Sequence, residues 1–342
     1  MRIYDVTIGI PIYNSVGCIQ MSLMSALSQS YPSIEYLLID DGCTDGTFDL
    51  ISSLVKVNHR FNDVRILTHT ENLGVTASRN QIIDEALGEY LYFMDSDDTI
   101  VENTIELLTK NARQYNAEVV FGSYEKIETT GKKILYQYPS IQFFKEDEFA
   151  SYAYRKYAGI QASACNYLVK TSILRENNHR FINSNYWEDF VFTFDLVTLI
   201  SRAVLLPDIT YSYICRECSL SNYQRRDIVS KEEVMQNVNT VNHLKNTSLC
   251  LHDKSYFPNR CYNIVMTDFY IACNVIKRRQ DISPGISNHE IKLMMSHPAK
   301  WAEIRSFKQS RLKNIFLLFL GNLPSSLCVS IIWVVGKLKK LI

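Results

Sequence analysis

The sequence predicts an α/β fold in which a mostly parallel sheet is flanked by helices and followed by a C-terminal helical extension. Three observations carry this. Short apolar runs recur at Val6–Ile12, Tyr36–Ile39, Val64–Thr68, Tyr90–Met94 and Val119–Tyr124, with starts roughly 26–30 residues apart, near the length of a βα unit. Helical periodicity fills the gaps between them. The rhythm stops after residue 125. Strand–helix alternation of this kind gives a parallel sheet covered on both faces.

Each helical segment follows from its apolar stripe. In Val16–Leu27, the residues Val16, Ile19, Leu23, Ala26 and Leu27 fall on one face. Thr47–Val57, Thr76–Ala86 and Asn103–Tyr115 read the same way. Residues 1–225 are expected to form one catalytic domain, with 1–125 as its ligand-binding half and 126–225 as a second, aromatic-rich half on the same sheet. Residues 226–310 read as a helical extension with a turn at Ser283-Pro284-Gly285.

Residues 311–342 differ. From Ile315 to Val335, 15 of 21 residues are apolar and none is charged. Arg305, Lys308, Arg311 and Lys313 precede this stretch and Lys337, Lys339 and Lys340 follow it, with no Asp or Glu between Glu303 and Ile342. The length just reaches that of a membrane span, but Asn322, Pro324, Ser325 and Ser326 interrupt it. Two short helices lying in a membrane interface, with lysines on anionic head groups, fit better than a span or an oligomer contact.

Composition bounds the function. The 342 residues are 46% apolar and 21% charged, enough apolar material for a large core. Lys+Arg and Asp+Glu are both 36, which argues against a nucleic-acid binder, since such domains are basic. Nine scattered Cys do not make a secreted disulfide scaffold. Cys215 and Cys218 form a CxxC with no second pair at zinc spacing. The opening MRIYDVTIGIPIYN carries Asp5 and no signal-peptide apolar stretch, so a cytoplasmic catalytic part is expected.

In parallel α/β sheets, ligands bind beyond the carboxyl ends of the strands, and the residues there are acidic. Tyr90–Met94 runs into Asp95-Ser96-Asp97-Asp98. Like charges so close repel unless a cation joins them, and a hard divalent ion such as Mg²⁺ or Mn²⁺ takes oxygen ligands. If the strand continues, alternation puts Asp95 and Asp97 on one side. The alternative is a solvated turn whose Asp97 or Asp98 caps the helix near Asn103. Tyr36–Ile39 runs into Asp40-Asp41-Gly42-Cys43-Thr44-Asp45-Gly46. A carboxylate there can accept from a ribose or a base N–H, or the segment is only a tight turn capped by Thr44 or Asp45. Arg79 sits early in a helix, where the dipole does not favour a cation. That position suits a phosphate or an acidic neighbour, although a plain surface arginine is the alternative. Glu188-Asp189 lies among Tyr186, Trp187, Phe190 and Phe192. Partial burial there would raise a carboxylate's pKa and make it a usable base; otherwise the pair caps a helix.

Taken together, these segments resemble family 2 glycosyltransferases of the GT-A, Rossmann-like fold. Val6–Asn14 resembles the family's opening strand and Asp40–Thr47 its nucleotide loop. Glu71–Asn80 resembles the next motif, Asp95–Asp98 the DxD metal motif, and Trp187–Phe192 the acceptor-side ED motif. The likeness covers roughly residues 4–220, in the family's order. Cys43 stands where the family commonly has Ser, and Trp187 where a small residue is frequent. The resemblance implies that Pro11, Tyr13, Asn14, Asp40 or Asp41, Arg79, Asp95 and Ser96 bind a nucleoside-diphosphate sugar, with uridine the commonest carrier. It also implies that Asp97 and Asp95 hold Mn²⁺ or Mg²⁺, and that Asp189, beside Glu188, is the catalytic base. Ser219–Asn222 and Arg225-Arg226 resemble the family's closing loop. The implied activity is inverting transfer to a glycan hydroxyl. The tail points to a lipid-linked acceptor in cell-surface polysaccharide synthesis, at the inner face of the cell membrane.

Two other readings remain. A nucleotidyltransferase would share the acidic edge, but it needs a Gly- and Lys/Arg-rich loop after the first strand, and Asn14–Ser22 has no Lys or Arg. A non-enzymatic scaffold or receiver-like domain fits Asp40-Asp41 but gives Asp95–Asp98 no role.

Overall fold

The computed structural model describes residues 4–216 and 228–342. They form two compact units. The first comprises residues 4–149, 163–185 and 199–216; the second comprises residues 150–162, 186–198 and 228–342.

The first unit is built on one mixed sheet. In chain order its elements are β1 (Tyr4–Ile12), α1 (Ile19–Leu27), β2 (Ile34–Asp40), α2 (Thr47–Lys56), β3 (Val64–Thr68), α3 (Val75–Glu85), β4 (Gly88–Phe93), β5 (Thr99–Ile100), α4 (Thr104–Tyr115), β6 (Val119–Ile127), β7 (Lys133–Tyr136) and β8 (Ile141–Phe143). Then come α5 (Glu148–Lys156), which lies mostly in the second unit, β9 (Tyr167–Lys170), α6 (Thr171–Glu176) and β10 (Ala203–Ile214). The sheet order is β3-β2-β1-β4-β9-β6-β10-β5, with β7 on β6 and β8 on β10.

The strands β3, β2, β1 and β4 are mutually parallel. β9 enters antiparallel between β4 and β6. Burial explains the near-continuous apolar runs. Every residue of β2 is buried, as are eight of the nine in β1, as expected where helices cover both faces. Glu35, an acid inside β2, accepts from Thr7 Oγ1 at 2.6 Å and pairs with Arg65 at 2.6 Å.

The expected strands and helices of the first 125 residues are present, with one shift. α1 starts at Ile19 rather than Val16, and Val16 is exposed. Its backbone N–H is bound instead by Asp45 Oδ2 at 3.1 Å, so the segment before α1 is a loop. Strand β4 ends at Phe93, so the alternation expected for Asp95 and Asp97 does not apply.

The second unit is helical. It holds α7 (Glu188–Leu196), β11 (Val229–Ser230), α8 (Lys231–Ser248), α9 (Phe257–Lys277), β12 (Ile282–Ser283), α10 (Asn288–Met294), α11 (Trp301–Ser306), α12 (Arg311–Asn322) and α13 (Ser325–Leu338). β11 and β12 form a short parallel pair. Ser230 with Glu233 and Ser287 with Glu290 make capping boxes at α8 and α10, satisfying the orphan N–H groups of their first turns. Phe257, Cys261, Ala299, Ile304 and Phe307 form a core under α9, α11 and α12. Lys245 of α8 meets Asp268 of α9 at 2.6 Å, and its ammonium also donates to Met294 O and Ser296 Oγ. Burial pushes the Asp268 carboxyl up to about 7, against the pull of Lys245.

At Gly88 the backbone of β4 comes close to that of β1, since a Cβ there would lie 2.5 Å from the Val6 carbonyl carbon. Gly88→Ala should therefore lower the unfolding free energy by about 1–3 kcal/mol. A reduced urea midpoint at unchanged slope checks this.

Candidate active site

Parallel strands deliver their carboxyl ends to one edge, and three loops meet there. The β1 loop crosses to the β2 loop through Asn14 Oδ1, which accepts from Thr44 N at 2.9 Å, and through Ser15 N, which donates to Thr47 Oγ1 at 2.8 Å. It reaches the β4 loop through Ser15 Oγ and Ser96 Oγ, 2.9 Å apart. Asn14 has φ 42°, a left-handed turn that places its amide across the gap. Tyr13 is exposed at this edge, whereas Pro11 is buried within β1.

The adjacent carboxylates Asp40 and Asp41 face different tasks. Asp41 is buried and fully engaged. It accepts from Leu73 N and Gly74 N at 2.9 Å each and from His69 Nδ1 at 2.6 Å, which fixes the loop after β3. Asp40 accepts from Cys43 N at 3.0 Å and lines a cleft of about 340 Å³ with Cys43, Thr44, Gly46, Phe48, Asp49 and Thr68. Gly42 has φ 73°, and a Cβ there would sit 2.7 Å from Glu71 C, so only glycine fits where the two loops touch. Asp45 tethers the start of α2 by accepting from Thr47 N at 3.0 Å, although the cap position itself is Gly46.

The β4 loop gathers the acids. Carboxylate oxygens of Asp95, Asp97 and Asp98 lie within 4.8 Å of one another. Neither Asp97 nor Asp98 caps α4, whose cap residue Asn103 makes no side-chain capping bond. Asp95 is paired with buried Arg79 at 2.8 Å, and Arg79 lies 5.3 Å from the Phe181 ring. Arg79 therefore faces an acidic neighbour. Asp97 is paired with Arg216. Burial and the charge of Asp95 raise the Asp97 carboxyl despite Arg216. Asp98 turns back toward the sheet, accepting from Tyr211 OH at 2.7 Å and Ile214 N at 2.8 Å. Burial, then the charges of Asp95 and Asp97, push it up to about 8. Asp95 and Asp97 keep 29% and 23% side-chain exposure, so they present oxygen atoms outward while Asp98 backs them. Three oxygen donors whose mutual repulsion is held by two guanidinium groups fit a hard divalent cation.

Glu188 and Asp189 belong to the second unit. They occupy the first turn of α7, where carboxylates favour the helix dipole, and both are half-buried. Trp187 holds the left-handed cap at φ 62°, with its ring against Phe190 at 6.0 Å. At the other end, Asp195 is paired with Arg260 of α9. Arg260 is fully buried; it donates to Tyr154 OH, Ser248 Oγ and Thr247 Oγ1 and lies 4.9 Å from the Phe194 ring.

Sequence patterns did not single out His69, Tyr211, Arg216 or Arg260, because each finds its partner far along the chain. Ser219–Asn222 and Arg225-Arg226 lie outside the described residues. The cysteines among the described residues are free.

A mixed, mostly parallel sheet with an acidic carboxyl edge, flanked by helices, is a GT-A fold. The solved structure of Staphylococcus aureus TarS 1–349 in complex with UDP-GlcNAc superposes with a TM-score of 0.59 at 16% identity, covering 93% of this chain and 90% of that one. Residues 7–175 match the family model of glycosyl transferase family 2. That segment is a family 2 glycosyltransferase domain, and the protein is a glycosyltransferase. Glycosyltransferase GlyG of Streptococcus pneumoniae is 29% identical over 235 residues, 66% of this chain and 77% of its own length. The cholesterol galactosyltransferase of Borreliella burgdorferi is 25% identical over 228 residues, 64% of this chain and 62% of its own.

His69 supplies a pH test. Burial opposes its charge, but hydrogen bonds to Asp41 and Gln81 and the charge of Asp41 raise its pKa above the ordinary value. A raised folded value stabilises the protein below the unfolded pKa, and this contribution is lost as pH rises through the folded value. His69→Gln should therefore cost more stability near pH 5.5 than near pH 8, read by thermal melts at both.

Proposed function

We propose that the protein is an inverting, metal-dependent glycosyltransferase. It moves a sugar from a UDP-sugar to a hydroxyl of a glycan acceptor carried on a lipid, during cell-surface polysaccharide synthesis at the inner face of the cell membrane. The observation that carries this is the Asp95–Asp97–Asp98 cluster on the same sheet edge as the Asp40 cleft, within a family 2 domain. TarS, named in its complex with UDP-GlcNAc, shares the fold, which supports a uridine carrier.

In this reading, Asp40 receives the nucleoside and Tyr13, Asn14 and Ser96 line its path, with Pro11 and Asp41 holding the strands and loops that shape it. Asp95 and Asp97 hold Mn²⁺ or Mg²⁺, which when bound neutralises charge growing on the leaving diphosphate. Arg79 keeps Asp95 oriented. Asp189, supported by Glu188, takes the acceptor hydroxyl's proton as that oxygen attacks carbon 1. Attack opposite the leaving diphosphate inverts the anomeric centre, by the same facial logic as single-displacement glycosidases.

Calorimetry should show UDP binding that strengthens with Mn²⁺ in the wild type and loses that dependence in Asp97→Ala. Unchanged Mn²⁺-dependent affinity would remove Asp97 from the site. Asp189→Asn should keep donor affinity and lower transfer by about 10²–10⁴-fold. An equal loss of donor affinity would assign Asp189 a structural role. Pyrophosphate release from UTP and a sugar phosphate would instead favour a nucleotidyltransferase.

A further inference from the structure

Two helices of the second unit leave an apolar face uncovered. The tail folds as two helices, α12 and α13, separated at Leu323-Pro324, and no helix among the described residues is long and apolar enough to cross a membrane. Each helix has a buried side and an exposed apolar side. α12 buries Asn314, Leu317 and Leu320, and α13 buries Cys328, Val329, Ile332 and Gly336, where both pack against α9 and α10. Away from that core, α12 exposes Leu312, Phe316 and Phe319 at the i, i+4, i+7 spacing of one stripe, and α13 exposes Trp333, Val334 and Leu338. Leu312 and Leu338 are each 79% exposed and Phe319 is 63% exposed. Exposed apolar side chains grouped on two neighbouring helices mark an interaction surface rather than ordinary scatter.

Charge identifies the occupant. Arg311 and Lys313 lie at the start of α12, and Lys337, Lys339 and Lys340 lie at the end of α13; all five are exposed. Lys337 sits 4.1 Å from the Trp333 ring centroid, placing a cation beside an aromatic at the edge of the face. No carboxylate lies in the segment to answer them. Two copies meeting through this face would bring like charges together, whereas an anionic bilayer supplies both an apolar interior and negative head groups.

We infer that the exposed faces of α12 and α13 form a docking surface for an anionic lipid bilayer. The aromatic and aliphatic side chains enter the acyl boundary and the flanking lysines and arginine rest on head-group phosphates. This deepens the membrane placement proposed above by naming the surface and its lipid chemistry. It does not depend on the donor site.

The test is flotation of the full chain with vesicles of phosphatidylcholine alone or with added phosphatidylglycerol, alongside UDP–Mn²⁺ titration of every protein used. Wild type should float with the anionic vesicles only, and less at high salt. Phe316→Ser with Phe319→Ser and Leu338→Ser should abolish flotation, and all three sites are exposed, so folding is spared. Glu at positions 337, 339 and 340 (Lys337→Glu, Lys339→Glu and Lys340→Glu) should weaken binding about 10²-fold. UDP binding should be unchanged in both variants. Wild type that binds UDP but no vesicle overturns the docking surface, as does flotation unaffected by either variant. A wild-type dimer that the apolar variant turns into a monomer, without vesicle binding, overturns it in favour of a second copy. Vesicle binding without UDP binding upholds the surface and rejects the donor-site reading instead.

Discussion

Three carboxylates at one strand tip repel one another, and the first unit is organised around holding them there. Asp95, Asp97 and Asp98 share a space in which their oxygens lie within 4.8 Å. Arg79 of α3 and Arg216 at the end of β10 supply the opposite charge to two of them. The third is held by Tyr211 OH and Ile214 N. Burial and mutual repulsion raise the Asp97 and Asp98 carboxyls, and Arg216, Tyr211 and Ile214 N oppose that rise. The arrangement leaves Asp95 and Asp97 partly open to solvent while Asp98 is sealed. Repulsion is thus balanced rather than removed.

The second unit solves a different problem with similar means. Helix α7 carries Glu188 and Asp189 at one end and Asp195 at the other. Arg260 grips the Asp195 end through a buried pair and hydrogen bonds to Tyr154, Thr247 and Ser248. A fully buried guanidinium is tolerable only when its donors are satisfied, and here they are spent on α5, α7 and the end of α8. The helix is thereby fixed along its axis, and its acidic first turn stays where the dipole favours it.

Local signals were legible in the sequence and distant pairings were not. β1, β2, β4 and the first half of β6 show as apolar runs because both faces of the sheet are buried there, whereas β3, at the sheet edge, is only half-buried and shows as a shorter run. α2, α3 and α4 show as periodic stripes. The acidic clusters showed because charge at a strand end is unusual. The start of α1 was misplaced because Val16 continues the stripe, yet its N–H is bound by Asp45, a residue 29 positions away. His69 lies 28 residues from Asp41, Arg260 lies 65 from Asp195 and Arg216 lies 119 from Asp97. No window reading can pair residues so far apart. The division of labour between Asp40 and Asp41 was also hidden. It depends on which carboxylate the loop after β3 turns its N–H groups toward.

The most direct measurement is anomalous diffraction from crystals grown with UDP and Mn²⁺. The account predicts a manganese peak coordinated by Asp95 or Asp97 oxygens and by the diphosphate, with the nucleoside beside Asp40. A diphosphate bound without manganese, or manganese held by other side chains, would contradict it.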